Sequence, residues 1–194
     1  ISDPHFRYGV IGGSYSTQLS SGSMTGNGIL SYAGRLSYNY DNKYFILLSS
    51  RYDGLSALPK DNRWGFFPGV SVGWTVSREG FMSNVDFISD LKIRASYAEV
   101  GNSFIGNYPY LGLYSGVRYA DYTGIAFSQM GNDQLLWETS NKYDIGLDAS
   151  ILDGKFTLTY DYFLNDLDGL ILQAPTPPSF GVPGNYVYRN IGTM

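Results

Sequence analysis

The sequence has no cysteine, only one histidine (His5) and few charged residues. The absence of cysteine excludes disulfide bonds and thiolate metal ligands, and a single histidine removes most histidine-based acid–base and metal chemistry. Charged residues make up 15% of the 194 residues, against about 25% in an average soluble domain. The net charge of −4 argues against a nucleic-acid partner, which would need a basic patch.

Long hydrophobic runs are missing too, because no segment approaches the roughly 18 consecutive apolar residues of a membrane helix. The sequence is instead 16% aromatic, with 18 tyrosines and 24 glycines. Alternation with a period of two dominates, and helical periodicity is nearly absent. This composition indicates β-structure and suits strands that lie in a membrane. The chain begins without a methionine or a signal-peptide pattern and ends abruptly, so we interpret it as a piece of a larger protein.

Two hairpins show the alternation most clearly. The first is joined by a short turn at 41–43, and the second by the Asp153-Gly154 dipeptide, a strong hairpin signal. In both, the apolar faces of the two strands coincide, as a stable register requires. The predicted pairs are Tyr40–Tyr44, Tyr38–Ile46, Leu36–Leu48 and Tyr32–Tyr52, and then Ile151–Phe156, Ala149–Leu158, Leu147–Tyr160 and Ile145–Tyr162.

The stretch RWGFFPGVSVGWTVS, residues 63–77, carries apolar residues at its even positions, with Trp64 and Trp74 near its ends. Its odd positions are small or polar, apart from Phe67. Pro68 lacks a backbone N–H, so we expect a bulge or a missing ladder bond there. The sequence thus predicts a long strand with one apolar face.

The predicted strands are long, and their connections alternate in length. A strand over 135–151, with Leu135 and Trp137 on its apolar face, would exceed about 50 Å at roughly 3.3 Å per residue. Short turns are predicted at one end, and long connections at 55–62, 100–134 and 175–188 at the other. This is typical of an antiparallel, up-and-down transmembrane β-barrel. A soluble sandwich or lipocalin-like barrel shares the alternation and is the competing interpretation.

Several runs, in this order and spacing, resemble the SusC/RagA-type TonB-dependent transporters of Bacteroidetes and cover most of 31–194. They are YDNKYFILLSSRYDGLS (40–56), NRWGFFPGVSVGWTVSREGF (62–81), LKIRASYAEVGNS (91–103), LLWETSNKYDIGLD (135–148), DYFLNDLDGLI (161–171) and NIGTM (190–194). The family often has Arg-Phe at Ala57-Leu58 and glycine at Ala98. Residues 1–30 carry no distinctive match and are interpreted as a strand end and an external loop.

The resemblance implies a function. It implies that 31–194 supply about six or seven strands of the C-terminal part of a 22-stranded barrel, whose plug domain and TonB box lie elsewhere. Such proteins import glycans, glycan fragments or peptides across the Gram-negative outer membrane. TonB powers the import, and a SusD-like surface lipoprotein serves as a lid. The alternatives are an outer-membrane barrel enzyme and a soluble β-rich ligand-binding module.

Two sets of candidate site residues follow. Five tyrosines in the 107–124 connection offer apolar faces with a hydroxyl tip for a sugar or peptide ligand, or for packing and lid contacts: Tyr108, Tyr110, Tyr114, Tyr119 and Tyr122. Ten charged residues alternate against the apolar face and are predicted to form a polar lumen wall: Arg35, Arg51, Asp53, Lys92, Arg94, Glu138, Lys142, Asp144, Asp148 and Asp161. No catalytic set, metal site or cofactor is indicated, although Asp121 and Asp133 leave calcium as a minor alternative.

Overall fold

The structure, a computed structural model, describes residues 10–12, 19–21, 24–102, 104–120 and 122–194. Most of residues 1–30, the segment that we interpret as a strand end and external loop, lies outside the described residues, as does Asp121. The strands are β1 (Val10–Gly12), β2 (Leu19–Ser21), β3 (Ile29–Tyr40), β4 (Tyr44–Leu55), β5 (Trp64–Thr75), β6 (Ile88–Asn102), β7 (Leu113–Tyr119), β8 (Tyr122–Gln129), β9 (Glu138–Ile151), β10 (Phe156–Asp168), β11 (Ile171–Pro175) and β12 (Tyr186–Asn190).

Six long strands form one antiparallel sheet in the order β10-β9-β6-β5-β4-β3. Within this sheet each long strand pairs with the next long strand along the chain, and the β7–β8 hairpin is inserted between β6 and β9. The β11–β12 and β1–β2 pairs form two further small sheets. The all-β, antiparallel, up-and-down architecture predicted from the sequence is confirmed.

Every strand pair predicted for the two hairpins is present in the structure. The apolar positions also continue across the sheet, because one row of paired residues crosses all six long strands. That row is Leu36, Leu48, Val70, Tyr97, Tyr143 and Leu164. We call the side of the sheet that carries this row the apolar face, and the opposite side the polar face.

The connections separate by length, as expected. Turns 41–43 and 152–155 and the compact segment 76–87 lie at one end of the sheet, here called the short-turn end. Connections 56–63, 103–137 and 169 onward lie at the opposite, long-loop end. In turn 152–155, Leu152, Asp153 and Gly154 all have positive φ, which explains the placement of a glycine there.

The ladder between β5 and β6 stops next to Pro68. Its last pair is Gly69 with Ala98, although β5 continues to Trp64 and β6 to Asn102. Proline has no N–H to donate, and pairing with β6 ends beside it, whereas pairing with β4 runs through it as Ser50–Pro68. The predicted interruption is therefore confirmed on the β6 side, and β5 and β6 are unpaired from there toward the long-loop end.

One expectation about β9 is wrong. The strand begins at Glu138, three residues after Leu135, so neither Leu135 nor Trp137 belongs to the apolar face of the sheet. Leu135 is completely buried in a cluster with Leu55, Ala57 and Leu58 at the long-loop end. The alternation of apolar residues in the sequence extends beyond the start of β9 because Leu135, although it lies in a loop, is buried and therefore also apolar.

Little of the large apolar surface is buried within the chain. Side chains of the apolar face such as Leu36, Val72 and Leu158 are exposed, with 63%, 47% and 61% of their surface accessible. In the part of the chain that the structure describes, no helix has the length and apolar character needed to cross a membrane. Apart from Thr75 and Val76 at the short-turn end, the buried side chains gather at the long-loop end, next to the candidate site.

Candidate functional site

The polar face carries the predicted charged residues. Strand parity and register place all ten of them on this side of the sheet, opposite the row of apolar pairs. That this face lines the lumen of a barrel stays a prediction.

Arg94 is the centre of the largest charge cluster on that face. Its Nε donates to Asp148 at 3.1 Å, its Nη2 to Asp161 at 2.5 Å, and its Nη1 lies 3.7 Å from Asp144. Gly146 pairs with both Arg94 and Asp161, and an added Cβ would come within 2.6 Å of both side chains. The glycine therefore leaves the space in which the guanidinium crosses β9.

Lys92 and Arg51 make smaller contacts. The Lys92 ammonium lies 4.8 Å from the ring centroid of Phe45, a cation–π geometry. Arg51 Nη2 lies 3.0 Å from Asp53 Oδ2. Glu138 accepts a hydrogen bond from the side-chain amide of Asn102 and another from the backbone N–H of Ile171. Glu138 thus joins the main sheet to the β11–β12 hairpin.

Phe67, the residue that breaks the alternation of β5, faces the polar side and is buried. Its ring lies edge-on to Trp137, with the centroids 5.2 Å apart. The Trp137 indole N–H donates to the carbonyl of Arg63 at 3.1 Å. Gly65 and Gly101 lie under the Phe67 ring, where a Cβ would collide with it. This aromatic pair fills the space where β5 and β6 separate.

The long loops are held together by side-chain amides that donate to main-chain carbonyls. Asn62 bonds to the carbonyl of Leu135, Asn132 to that of Tyr188, and Asn190 to those of Leu136 and Gly169. Asn190 Oδ1 also accepts from the Leu136 N–H. The donor–acceptor distances run from 2.7 to 3.1 Å. The sequence did not reveal these contacts, because amides are common in loops of every kind.

Of the five candidate tyrosines, Tyr108 and Tyr110 lie edge-on to each other with ring centroids 6.3 Å apart, while the others make different contacts. The Tyr108 hydroxyl donates to the carbonyl of Gly26, and Tyr110 packs on the buried cluster around Leu58. The Tyr114 ring packs at a tilt of 31° against Phe127 in the β7–β8 hairpin, and Tyr122 is exposed over 78% of its surface. The Tyr119 backbone pairs with Tyr122, and its side chain lies outside the described residues. A ligand role for these tyrosines stays a prediction.

Aromatic side chains mark both ends of the apolar face. At the long-loop end, Trp64 stacks on Tyr52 with centroids 4.9 Å apart and lies 6.3 Å from Tyr32. At the short-turn end, Glu79 Oε1 accepts hydrogen bonds from the Tyr44 hydroxyl at 2.7 Å and the Trp74 indole at 3.1 Å. These bonds, with Lys43 nearby, lower the pKa of Glu79 below its ordinary value.

The features described so far define a class of structure: a wall of long antiparallel strands with one apolar face, one charged face, and turns and loops segregated to opposite ends. Residues 3–194 match the family model described as TonB dependent receptor-like, beta-barrel. The chain therefore belongs to the TonB-dependent receptor β-barrel family.

Relatives and solved structures agree with this membership. Over 93% of its own length, the chain is 34% identical to TonB-dependent receptor P39 of Formosa agariphila. Over 88% of its own length, it is 33% identical to TonB-dependent receptor SusC of Bacteroides thetaiotaomicron. These alignments cover 17% and 18% of the two relatives, so the chain spans less than a fifth of their length. The RagAB peptide importer in its open-open state superposes with a TM-score of 0.81 at 26% identity, over 94% of this chain and 20% of that one.

Proposed function

We propose that this chain is part of the barrel wall of a TonB-dependent outer-membrane importer for oligosaccharides or peptides. In this proposal the exposed apolar face contacts lipid, and the polar face lines the lumen. The long loops face the outside of the cell, and a SusD-like lipoprotein covers them. The wall is a passive scaffold, while TonB supplies the work through a plug domain.

The observation that carries the proposal is the apolar row across all six long strands, from Leu36 to Leu164. In water such a face would be an aggregation hazard, whereas a bilayer solvates it. The aromatic groups at its two ends match the aromatic girdles of membrane barrels, where rings lie at the level of the lipid headgroups.

The proposals of transport and of a lid partner rest on similarity to known receptors and on exposed side chains in the long loops. SusC is named as a TonB-dependent receptor, and RagAB is described as a peptide importer. The β7–β8 hairpin presents exposed Tyr114, Tyr122 and Ile125 at the long-loop end. Exposed aromatic and aliphatic side chains of this kind suit contact with substrate or with a lid.

The function is tested with the full-length protein in its native bacterium. We expect the protein to fractionate with the outer membrane, and its deletion to abolish growth on one glycan or peptide source. Restored growth should require both the gene and functional TonB. Recovery of the full-length protein as a detergent-free soluble monomer would contradict the membrane assignment, and TonB-independent uptake would contradict the energy coupling.

A further inference from the structure

A cavity of about 530 Å³ opens on the polar face, where the strands approach the long-loop end. This volume lies within the roughly 300–1,000 Å³ range of small-molecule pockets. Its floor is made of small residues, including Gly34, Ser49 and Gly69, so backbone and hydroxyl groups are accessible there. The charged residues of its lining are Arg35, Arg51, Asp53 and Glu99.

Asp53 is the buried member of this set. Only 8% of its side chain is exposed, and its Oδ2 is held by Arg51 at 3.0 Å. Its Oδ1 is buried and accepts no hydrogen bond from any residue that the structure describes. Buried carboxylate oxygens normally have a donor, because leaving one unsatisfied is costly. Asp53 Oδ1 therefore has an unfilled acceptor position, which an N–H or O–H group of a bound molecule would fill.

Arg35 and Arg51 add a second requirement for the ligand. Arg51 keeps 57% of its side chain exposed while it bonds to Asp53. Arg35 lies one step along the neighbouring strand, since Ala33 pairs with Arg51 and Arg35 pairs with Ser49. Arg35 makes no ion pair within the described ranges. Guanidinium groups favour carboxylate, sulfate and phosphate oxygens because their N–H donors can bind two oxygens at once.

We propose that Arg35, Arg51 and Asp53 form a subsite for a ligand that carries an oxyanion next to an N–H or O–H donor. The oxyanion lies between the two guanidinium groups, and the donor satisfies Asp53 Oδ1. An acidic sugar residue and an acidic peptide both present this chemistry. The inference rests on the proposed importer function, because it makes the polar face the path of the imported molecule and gives that path a preference for acidic cargo.

The test measures equilibrium binding to the detergent-solubilised full-length protein by calorimetry. Trigalacturonic acid and triglutamate are the acidic probes, which separate a sugar source from a peptide source, and maltotriose is the neutral probe. Arg35→Gln is the main variant because Arg35 is exposed and its loss leaves Asp53 paired with Arg51. Arg78→Gln, an exposed arginine at the short-turn end, is the matched control.

We expect at least one acidic probe to bind the wild-type protein. Its affinity should fall about ten-fold or more in Arg35→Gln, the size expected for a lost charge-assisted hydrogen bond, and stay unchanged in Arg78→Gln. Asp53→Asn should also weaken binding, since it replaces one acceptor oxygen by a donor. High salt should weaken the binding of the acidic probes and leave any binding of maltotriose unchanged.

The subsite is overturned if neither acidic probe binds, or if Arg35→Gln binds the acidic probe as tightly as the wild type does. TonB-dependent uptake is measured in parallel in bacteria that produce the wild-type protein or each variant. Uptake that persists while the binding prediction fails would remove the subsite and leave the importer function standing. Loss of outer-membrane location or of TonB dependence would remove the importer function itself.

Discussion

The ring of Phe67 lies edge-on to the indole of Trp137, at 74° between their planes, and joins strand β5 to the loop before β9. The pair occupies the place where the β5–β6 ladder has stopped at Pro68. Side-chain packing there replaces backbone hydrogen bonding. Because Gly65 and Gly101 provide the space, the wall at the long-loop end depends on two glycines as much as on the two aromatic rings.

The packing around Phe67 can be tested by adding a methyl group beneath it. Gly101→Ala places a Cβ against the Phe67 ring, and we expect it to destabilise the full-length protein by about 1–3 kcal/mol. Urea unfolding in lipid vesicles measures the loss. Gly116→Ala is the control, because nothing lies within 4 Å of a Cβ there. Combining Gly101→Ala with Phe67→Ala should be less than additive, and strict additivity would show that the two sites do not touch.

Replacing a residue on each face of β5 by arginine tests the assignment of the faces. Val70→Arg puts a charge on the apolar face near the middle of the strand, and we expect a loss of roughly 2–4 kcal/mol in a bilayer. Ser71→Arg puts the same charge on the polar face and should cost much less. Folding yield in vesicles of defined lipid provides the comparison. Equal losses for the two neighbours would mean that neither face contacts lipid.

Glu79 gives the short-turn end a dependence on pH. Its folded-state pKa is lowered, first by the Tyr44 hydroxyl, then by the Trp74 indole, with a smaller contribution from Lys43. A lowered pKa stabilises the fold above the unfolded-state pKa, near 4.5, and this stability is lost as pH falls through the folded value. We expect Glu79→Gln to reduce the acid sensitivity of unfolding below about pH 4.5.

Asp86→Asn serves as the control for Glu79→Gln. Asp86 is an exposed carboxylate in the same compact segment, and it makes no ion pair in the described part of the chain. Unfolding curves at pH 3.5 and pH 7 are compared for the three proteins. If Asp86→Asn flattened the pH profile as much as Glu79→Gln does, the bonds to Tyr44 and Trp74 would not be its cause.

Asn190 is expected to hold the long loops in register. Asn190→Ala removes two donated bonds and one accepted bond, so amide hydrogen exchange should become faster around Leu136 and Gly169. Gln134→Ala removes an exposed side-chain amide that makes no hydrogen bond to the described residues. Exchange that changes equally in both variants, or in neither, would rule out Asn190 as the connection between these loops.

The strand registers could be predicted because each correct pair, such as Leu36 with Leu48, brings apolar side chains to one face, and a one-residue slip would reverse every one of them. Pro68 was equally predictable, since its missing N–H acts locally. The loop contacts were not. Leu135 and Trp137 extend the strand pattern in sequence but turn into the loop cluster in space. Strand parity likewise places Arg94 on the polar face, yet only the space at Gly146 explains how it reaches Asp161.

The amide contacts between the long loops determine how the long-loop end of the sheet degrades on storage or heating. A chain with no cysteine has no disulfide to lose, so a reducing medium leaves these loops unaffected. Their weak point is slow hydrolysis of Asn62, Asn132 or Asn190 to aspartate, since asparagine is among the heat-labile residues. Each such event would exchange a donor for a negative charge that faces a carbonyl oxygen. Old or heated protein would therefore lose its loop contacts before it loses its strands.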